Sequence, residues 1–252
     1  MNVFLALFGG SLVLFLIVVP LLNRRQAARN AESMRVLGEQ AGALGLKHQG
    51  FNAVSGELLF TGTSEGVAWT ALVNAPLPGA VSRSRGKSQS TRITFPSLTT
   101  APGTFVLAMT LPPGVSLPAE PPPSGEGLLA SLAQRAMEGM LDLYVSAYFG
   151  AEHRSLVNVA GAARPPGPPD FMVLSTDPAV AARLLDEKGR ALLTSLRTLD
   201  LRQGTPLASG GLGVLVTPAG LIVGCQVGLI DPAQLKFVAE RAARVVAHAR
   251  PG

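Results

Sequence analysis

The sequence predicts an α+β protein, with one N-terminal transmembrane helix followed by a mainly antiparallel sheet. Helices are expected on one face of the sheet, in one body or two lobes. Three observations lead to this fold class. Residues 3–22 carry no charge. Short apolar and β-branched segments come in pairs joined by glycine-containing turns, as in hairpins. Helical periodicities stand apart from the hairpins, which favours α+β over a parallel α/β sheet.

The first element is the apolar segment VFLALFGGSLVLFLIVVPLL, residues 3–22. At about 1.5 Å per residue, a helix of this length spans roughly 30 Å, the thickness of a bilayer's hydrocarbon core. A cleaved signal peptide would need a basic start, a shorter core and a small-x-small cleavage site, and none of these is seen. Residues 1–23 are therefore predicted to be a retained signal-anchor that contacts membrane lipid.

The charges beside this segment predict its orientation. No Lys or Arg precedes it, and Arg24, Arg25, Arg29 and Arg35 follow it. Because basic residues stay on the cytoplasmic side, we expect a single-pass membrane protein with its N-terminus outside and its C-terminal domain in the cytoplasm. The single cysteine, Cys225, excludes an internal disulfide and agrees with a reducing compartment.

The chain after the anchor divides by composition. Residues 24–46 are predicted to form a juxtamembrane helix, because Met34, Leu37, Ala41 and Leu44 have helical spacing and Gly45 follows. Residues 47–111 are predicted to form a β-rich lobe. Its four strands are GELLFTG, GVAWTALVN, STRITF and TFVLAMTL. Residues 112–126 contain six prolines and predict a linker, because proline lacks a backbone donor and favours extended neighbours.

Residues 127–252 are predicted to form an α+β lobe that opens with a helix over 127–149. The apolar positions that share one face of this helix are Leu129, Leu132, Ala133, Ala136, Met137, Met140, Tyr144 and Ala147. The strand candidate SLVNVA and the proline-rich break 161–170 follow it.

The rest of this lobe carries clear start and turn signals. FMVLST predicts a strand, and Asp177-Pro178 predicts the start of a helix that breaks near Gly189. The segment GLGVLVTPAGLIVGCQVGL predicts a hairpin, within which Cys225 is expected to be a small buried side chain. Asp231-Pro232 repeats the helix-start signal, and the last helix places Leu235, Val238, Ala242 and Val245 on one face.

A basic segment, SRSRGKSQS, lies between two predicted strands. It ends like a phosphate-binding loop, but Val81 stands where that loop needs glycine, so nucleotide binding is not predicted. Two interpretations stay open: a solvated loop, or contact with anionic lipid headgroups near the membrane. The candidate lipid contacts are Arg24, Arg25, Arg83, Arg85, Lys87 and Arg92.

Other chemistry is not predicted. His48, His153 and His248 have no partners at metal-ligand spacing, no Gly-x-Ser-x-Gly is present, and Val216 interrupts a dinucleotide-type glycine pattern. Aromatic residues make up 5% of the chain and do not interleave with basic runs, so nucleic-acid binding is not expected despite the net charge of +5. We therefore assign no catalytic, cofactor-binding or metal-binding residues and expect no cofactor.

The segment FMVLSTDPAVAARLL resembles a pattern found in uncharacterised single-pass bacterial membrane proteins. In that pattern, a strand ending near Ser/Thr-x-Asp continues into a helix with Ala-Arg and leucines, followed by a helix and a hairpin. The resemblance covers about residues 171–230. It implies a single-pass membrane protein and brings no known activity or site.

Three functions compete on this evidence. The first is a membrane-anchored accessory or adaptor protein without catalytic activity, acting in a membrane-associated complex. The second is a membrane-tethered lipid or small-molecule sensor with a pocket between helices and sheet. The third is an enzyme whose site is assembled by folding. A cleft with convergent polar groups would favour the second or third, and a filled core with an exposed apolar patch the first. Self-association stays open.

Overall fold

The computed structural model describes residues 2–52, 57–75, 89–110, 128–156, 162–168, 171–201, 205–206 and 211–251. The described strands are β1 (Lys47–Asn52), β2 (Glu57–Ser64), β3 (Val67–Asn74), β4 (Ser90–Phe95), β5 (Val106–Thr110), β6 (Phe171–Ser175), β7 (Asp200–Leu201), β8 (Thr205–Pro206), β9 (Leu212–Thr217) and β10 (Gly220–Cys225). The described α-helices are α1 (Asn2–Ala43), α2 (Leu128–Phe149), α3 (Pro178–Leu184), α4 (Glu187–Arg197) and α5 (Pro232–Ala249), and a 3-10 helix covers Ala151–Leu156.

Eight of these strands form one antiparallel sheet in the order β1-β2-β3-β4-β10-β9-β5-β6. The predicted α+β class with a large antiparallel sheet is confirmed. The alternative of two lobes is wrong, because β4 pairs with β10 and β5 lies between β9 and β6. Strands from before and after the proline-rich segment thus share one sheet, a long-range pairing that hairpin signals do not reveal.

Helices cover both faces of the sheet, so the expectation of helices on one face is wrong. The first face packs against the end of α1 and against α3, α4 and α5, and the second packs against α2. The physical reason lies in β5, β9 and β10, in which every residue is buried. Strands that are apolar on both sides need cover on both sides. By contrast, β3 and β4 alternate between buried residues and more exposed ones.

The core on the first face follows the sequence closely. Leu235, Val238, Ala242 and Val245 of α5 are all buried, as their shared face predicts. In α1, Leu37 and Ala41 are buried, whereas Met34 and Leu44 are partly buried against the same core. The helix ends at Ala43, and Gly45 follows with a φ of 75°, which is the left-handed geometry expected of a glycine stop.

The buried face of α2 differs from the predicted one. Leu141, Val145, Tyr148 and Phe149 are buried against the sheet, and Tyr144 packs partly against the same cluster. Of the predicted face, Met140 and Ala147 are only half-buried, whereas the side chains of Leu129, Leu132, Ala133, Ala136 and Met137 lie outside the described residues. Leu143 is 69% exposed. Over residues 138–149, the buried face is therefore displaced by about one residue, roughly 100° around the helix.

The helix boundaries after β6 follow the capping signals. The Asp177 carboxylate accepts a hydrogen bond from the Val180 amide at 3.0 Å, which caps α3 as predicted. The predicted break into two helices is present, but it lies three residues before Gly189. The break falls at Asp186, whose carboxylate accepts from the Gly189 amide at 2.7 Å and caps α4. Asp231 caps α5 through the Ala233 amide at 2.9 Å.

Several predicted features lie outside the described residues. These are the proline-rich linker 112–126, the basic residues of 83–87 and most of the candidate strand SLVNVA, although its first two residues belong to the 3-10 helix. The apolar segment 3–22 lies within α1, but the side chains of residues 3–20 are not described. Among the described residues, no helix combines the length and apolar character that crossing a bilayer requires.

Candidate functional site

The predicted lipid contacts fall into three groups in the structure. Arg24 and Arg25 are exposed on α1. Arg83, Arg85 and Lys87 lie outside the described residues. Arg92 occupies the middle of β4, with only 18% of its side chain exposed. Its half-enclosed environment in the sheet therefore differs from that of the exposed Arg24 and Arg25.

Arg92 joins three parts of the body on the second face of the sheet. Its Nη1 donates to the Phe149 carbonyl at 3.0 Å and to Glu152 Oε1 at 2.5 Å. Its Nη2 donates to Glu57 Oε1 at 3.2 Å. The Phe149 carbonyl is at the end of α2, where the helix leaves carbonyls without helical partners. Arg92 thus attaches the end of α2 to β2 and β4.

The electrostatics of this cluster favour a charged Glu152. Partial burial alone would raise the pKa of Glu152. Its own backbone amide and Arg92 outweigh that effect and hold the pKa below the usual value of 4.5. For His153, burial lowers the pKa and Arg92 lowers it further, against an opposing effect of Glu152. His153 Nδ1 is buried without a hydrogen-bond partner among the described residues. The neutral imidazole is therefore favoured here.

We expect Arg92→Met to destabilise the body by about 1–3 kcal/mol, because the Phe149 carbonyl and Glu57 lose a charged donor. The difference between wild type and variant should depend on pH. Since the pKa of Glu152 is lowered in the folded state, its contribution is complete above the usual glutamate pKa and is lost as pH falls through the folded-state value. Urea unfolding of the full chain in lipid nanodiscs, at neutral pH and in acid, measures both effects.

Arg35→Met is the matched control for this prediction. Arg35 also pairs with two glutamates, Glu32 and Glu39, but its side chain is 58% exposed on α1. Exposed pairs on a helix contribute little, so no measurable change is expected. We call the hydrogen bonds from Arg92 to Phe149, Glu152 and Glu57 the Arg92 clamp. Equal losses of unfolding free energy in Arg92→Met and Arg35→Met would contradict a stabilising role for this clamp.

A cleft of about 420 Å³ lies between β6, α3, the start of α4 and the segment 162–168. It is mostly apolar. The lining residues are Ala163, Pro165, Pro166, Ser175, Thr176, Pro178, Ala181, Ala182, Leu185 and Arg190. Such a volume falls in the range of small-molecule sites, which are generally apolar with a few oriented polar groups.

The proline-containing wall of the cleft is fixed to the sheet edge. Ala163 and Ser175 exchange two backbone hydrogen bonds, with N···O distances of 2.8 and 2.9 Å. A Cβ on Gly167 would lie 2.5 Å from Cγ2 of Val173, so this segment packs tightly on β6. The Phe171 amide donates to the Pro168 carbonyl at 3.1 Å. The wall is thus held at both ends.

The sequence predicted neither this cleft nor Arg190. The segment 161–170 carried only a proline-rich signal, and Arg190 was one of many helical arginines. The signals that were present are the two adjacent prolines and the Asp186 cap, which turns α4 and brings Arg190 back to Leu185. Only the fold brings these residues together.

A second cleft, of about 440 Å³, lies where α1 meets the sheet. Its lining residues are Leu44, Gly45, Lys47, Thr61, Gly62, Thr63, Ala68, Trp69, Thr70 and Pro96. Among the described lining residues, the one charged group is Lys47, which is exposed. These residues thus bring polar and apolar groups together without a buried charge.

The remaining candidate groups have ordinary environments. No group of three or more His, Cys, Asp or Glu residues able to hold a metal is found in the part of the chain that the structure describes. His248 Nε2 lies 2.7 Å from Asp186 Oδ1 and joins α5 to α4. Cys225 is buried, as predicted, and burial raises its thiol pKa to about 11. A thiol held protonated in this way is a poor nucleophile.

No protein-family model matches this chain, and no curated protein matches it.

Proposed function

We propose that this chain is a membrane-anchored accessory or adaptor protein without catalytic activity, with its body in the cytoplasm beside a membrane complex. The observation that carries the proposal is α1, a single helix from Asn2 to Ala43. It contains the apolar segment 3–22 at one end and packs into the body at the other. The anchor itself is part of the proposal and derives from the sequence.

The helix α1 would hold the body at a defined height. Between the end of the apolar segment at Leu22 and the first buried residue, Leu37, the helix rises by about 22 Å. Arg24, Arg25 and Arg29 are exposed along this stretch. They would lie where anionic headgroups attract basic side chains. A continuous helix, unlike a flexible linker, restricts the body to a narrow range of positions beside a partner in the membrane.

The body has the properties expected of an interaction module. Both sides of the sheet pack against helices through apolar clusters. On the outward side of α2, Leu143 is 69% exposed, the highest value for a large apolar side chain among those described. An exposed leucine on a well-packed helix is a reasonable first position at which to look for a partner.

Site-specific photo-crosslinking in native membranes tests the adaptor proposal. A photoreactive amino acid is placed at Leu143 and, as the matched control, at Glu187, which is also exposed on a helix. We expect a discrete crosslinked membrane protein from position 143 that is absent from position 187, identified by mass spectrometry. Recovery of the chain alone from both positions would contradict the proposal.

The membrane topology is tested separately. A reporter active only in the periplasm or lumen, fused after Gly252, should be inactive, and a cytoplasmic reporter at the same place should be active. The opposite pattern would overturn the proposed orientation. A chain that stays in the soluble fraction after membrane sedimentation would overturn the anchor.

A membrane-tethered sensor of lipids or small molecules is the second candidate. The cleft beside β6, with its apolar walls and Arg190, favours this function. Binding assays on the full chain test this second candidate, whereas crosslinking at Leu143 tests the first.

A further inference from the structure

We propose that the cleft between segment 162–168 and helices α3 and α4 binds a small organic monocarboxylate with an apolar body. This inference deepens the sensor function and rests on that second proposal. The adaptor function neither requires nor forbids it.

The walls of the cleft select an apolar body. Leu185 and Ala181 form part of its lining and are 6% and 3% exposed, while Pro165 and Pro166 stand opposite as rigid rings. The wall that carries the prolines is fixed by the Ala163–Ser175 bridge. A site that is already ordered loses little conformational entropy when a ligand enters, so contacts with the apolar walls contribute to affinity.

Arg190 supplies the charge that selects an anion. Its Nε donates to the Leu185 carbonyl at 2.6 Å, which fixes the guanidinium at the wall of the cleft. No acceptor for its two Nη groups is recorded among the described residues. A planar guanidinium suits a carboxylate, whose two oxygens can accept parallel hydrogen bonds.

Thr176 adds a second polar point to the lining. Its Oγ1 accepts a hydrogen bond from the Phe105 amide at 2.9 Å, and its hydroxyl proton has no recorded acceptor in the described part of the chain. The neighbouring Ser175 hydroxyl is occupied, since it accepts from the Asp177 amide and donates to the Asp177 carbonyl. The cleft therefore offers donors from Arg190 and Thr176 to an entering anion.

The nearby charges fit a monoanion better than a phosphate dianion. Asp186 accepts from Gly189 and contacts His248, and Arg183 donates to the Ala249 carbonyl at 2.9 Å. Neither group lines the cleft. Because Arg190 is the one charged residue among the described residues of the lining, one negative charge is balanced there, whereas phosphate sites generally gather several donors and charges.

The test uses the full chain in lipid nanodiscs and ¹⁹F NMR, with empty nanodiscs as the blank. The probes are 4-(trifluoromethyl)benzoate and its neutral analogue 4-(trifluoromethyl)benzamide. We expect saturable binding of the benzoate and weaker binding of the amide. Arg190→Gln should weaken benzoate binding roughly tenfold or more, since a charge-assisted bidentate contact is lost, and should leave the amide unchanged.

Two further variants define the site and its specificity. Ala182→Trp, at an exposed lining position, should abolish binding of both probes by filling the cleft. Lys188→Gln removes the same charge from α4 outside the cleft and should change neither affinity. Emission from Trp69, which is 2% exposed in the native core, verifies that Arg190→Gln and Lys188→Gln are folded. Because Ala182→Trp adds a second tryptophan, far-UV circular dichroism and urea unfolding verify the folding of that variant.

Any of four results would overturn the inference. Three of them are equal affinity for benzoate and benzamide, unchanged benzoate binding in Arg190→Gln, and full binding in a folded Ala182→Trp variant. Absence of benzoate binding to the wild-type chain would do so as well. None of these results alters the crosslinking outcome at Leu143, so failure of this inference and failure of the adaptor proposal are distinguishable.

Discussion

Phe149→Ala is expected to lower the free energy of unfolding by about 3–5 kcal/mol, the usual cost of truncating a buried phenylalanine. Phe149 is fully buried against the second face of the sheet, and its ring packs beside Tyr148 with centroids 6.1 Å apart. Removing the ring leaves a cavity beneath the end of α2, where Arg92 also binds the Phe149 carbonyl. Urea unfolding of the full chain in nanodiscs, followed by Trp69 fluorescence, gives the value.

Leu143→Ala is the matched control on the same helix. Because the Leu143 side chain is 69% exposed, its truncation should change the unfolding free energy by about 0.5 kcal/mol or less. The pair tests which face of α2 is buried. A larger loss for Leu143→Ala than for Phe149→Ala would contradict the packing of Phe149, rather than Leu143, against the sheet.

The contrast between α2 and α5 shows what helical periodicity can predict. In α5, one apolar face is clearly separated from the charged positions, so the buried residues follow from the sequence. In α2, apolar residues surround most of the helix near its end, and Met140 and Leu143 are as apolar as Leu141. Periodicity alone then does not indicate which side of α2 is buried. The facing is decided by the sheet, in which Gly213 and Gly224 leave room for the Phe149 ring and the Tyr148 backbone.

The number of helical layers could have been predicted from the strands. The residues of β5, β9 and β10 form continuous apolar runs, whereas β3 alternates. A continuous run indicates a strand covered on both faces, so a second helical layer over these three strands was implied. The pairing of β4 with β10 was not, because about 130 residues separate them and no local signal specifies a long-range partner.

In the candidate site, too, local features could be predicted from the sequence and long-range ones could not. The caps Asp177 and Asp231 were predicted because a cap acts on amides two or three residues away. The roles of Arg92 and Arg190 were not, since their environments depend on distant segments. Arg92 was grouped with the basic residues of 83–87 by proximity in sequence. In the fold it donates a hydrogen bond to the Phe149 carbonyl at the end of α2, which lies 57 positions away along the chain.

Gly224→Ala is expected to destabilise the body by about 3 kcal/mol or more, although it adds only one methyl group. A Cβ at this position of β10 would lie 2.8 Å from the Tyr148 carbonyl carbon and closer still to its oxygen. The obstacle is backbone, which cannot turn away as a side chain can. Gly213 of β9 makes similar room, because a Cβ there would lie 2.6 Å from the Phe149 ring. The end of α2 packs directly on these two glycines.

Gly139→Ala is the control that separates crowding from backbone effects. Gly139 lies inside α2 and is exposed, and a Cβ at this position would have no atom of the described residues within 4 Å. Alanine should therefore stabilise the protein by roughly 0.5–1 kcal/mol through helix propensity. Opposite signs for the two Gly→Ala substitutions are the expected result, measured by Trp69-monitored unfolding of the full chain. A neutral Gly224→Ala variant would mean that α2 does not approach β10 this closely, and the clamp by Arg92 would lose its geometric basis as well.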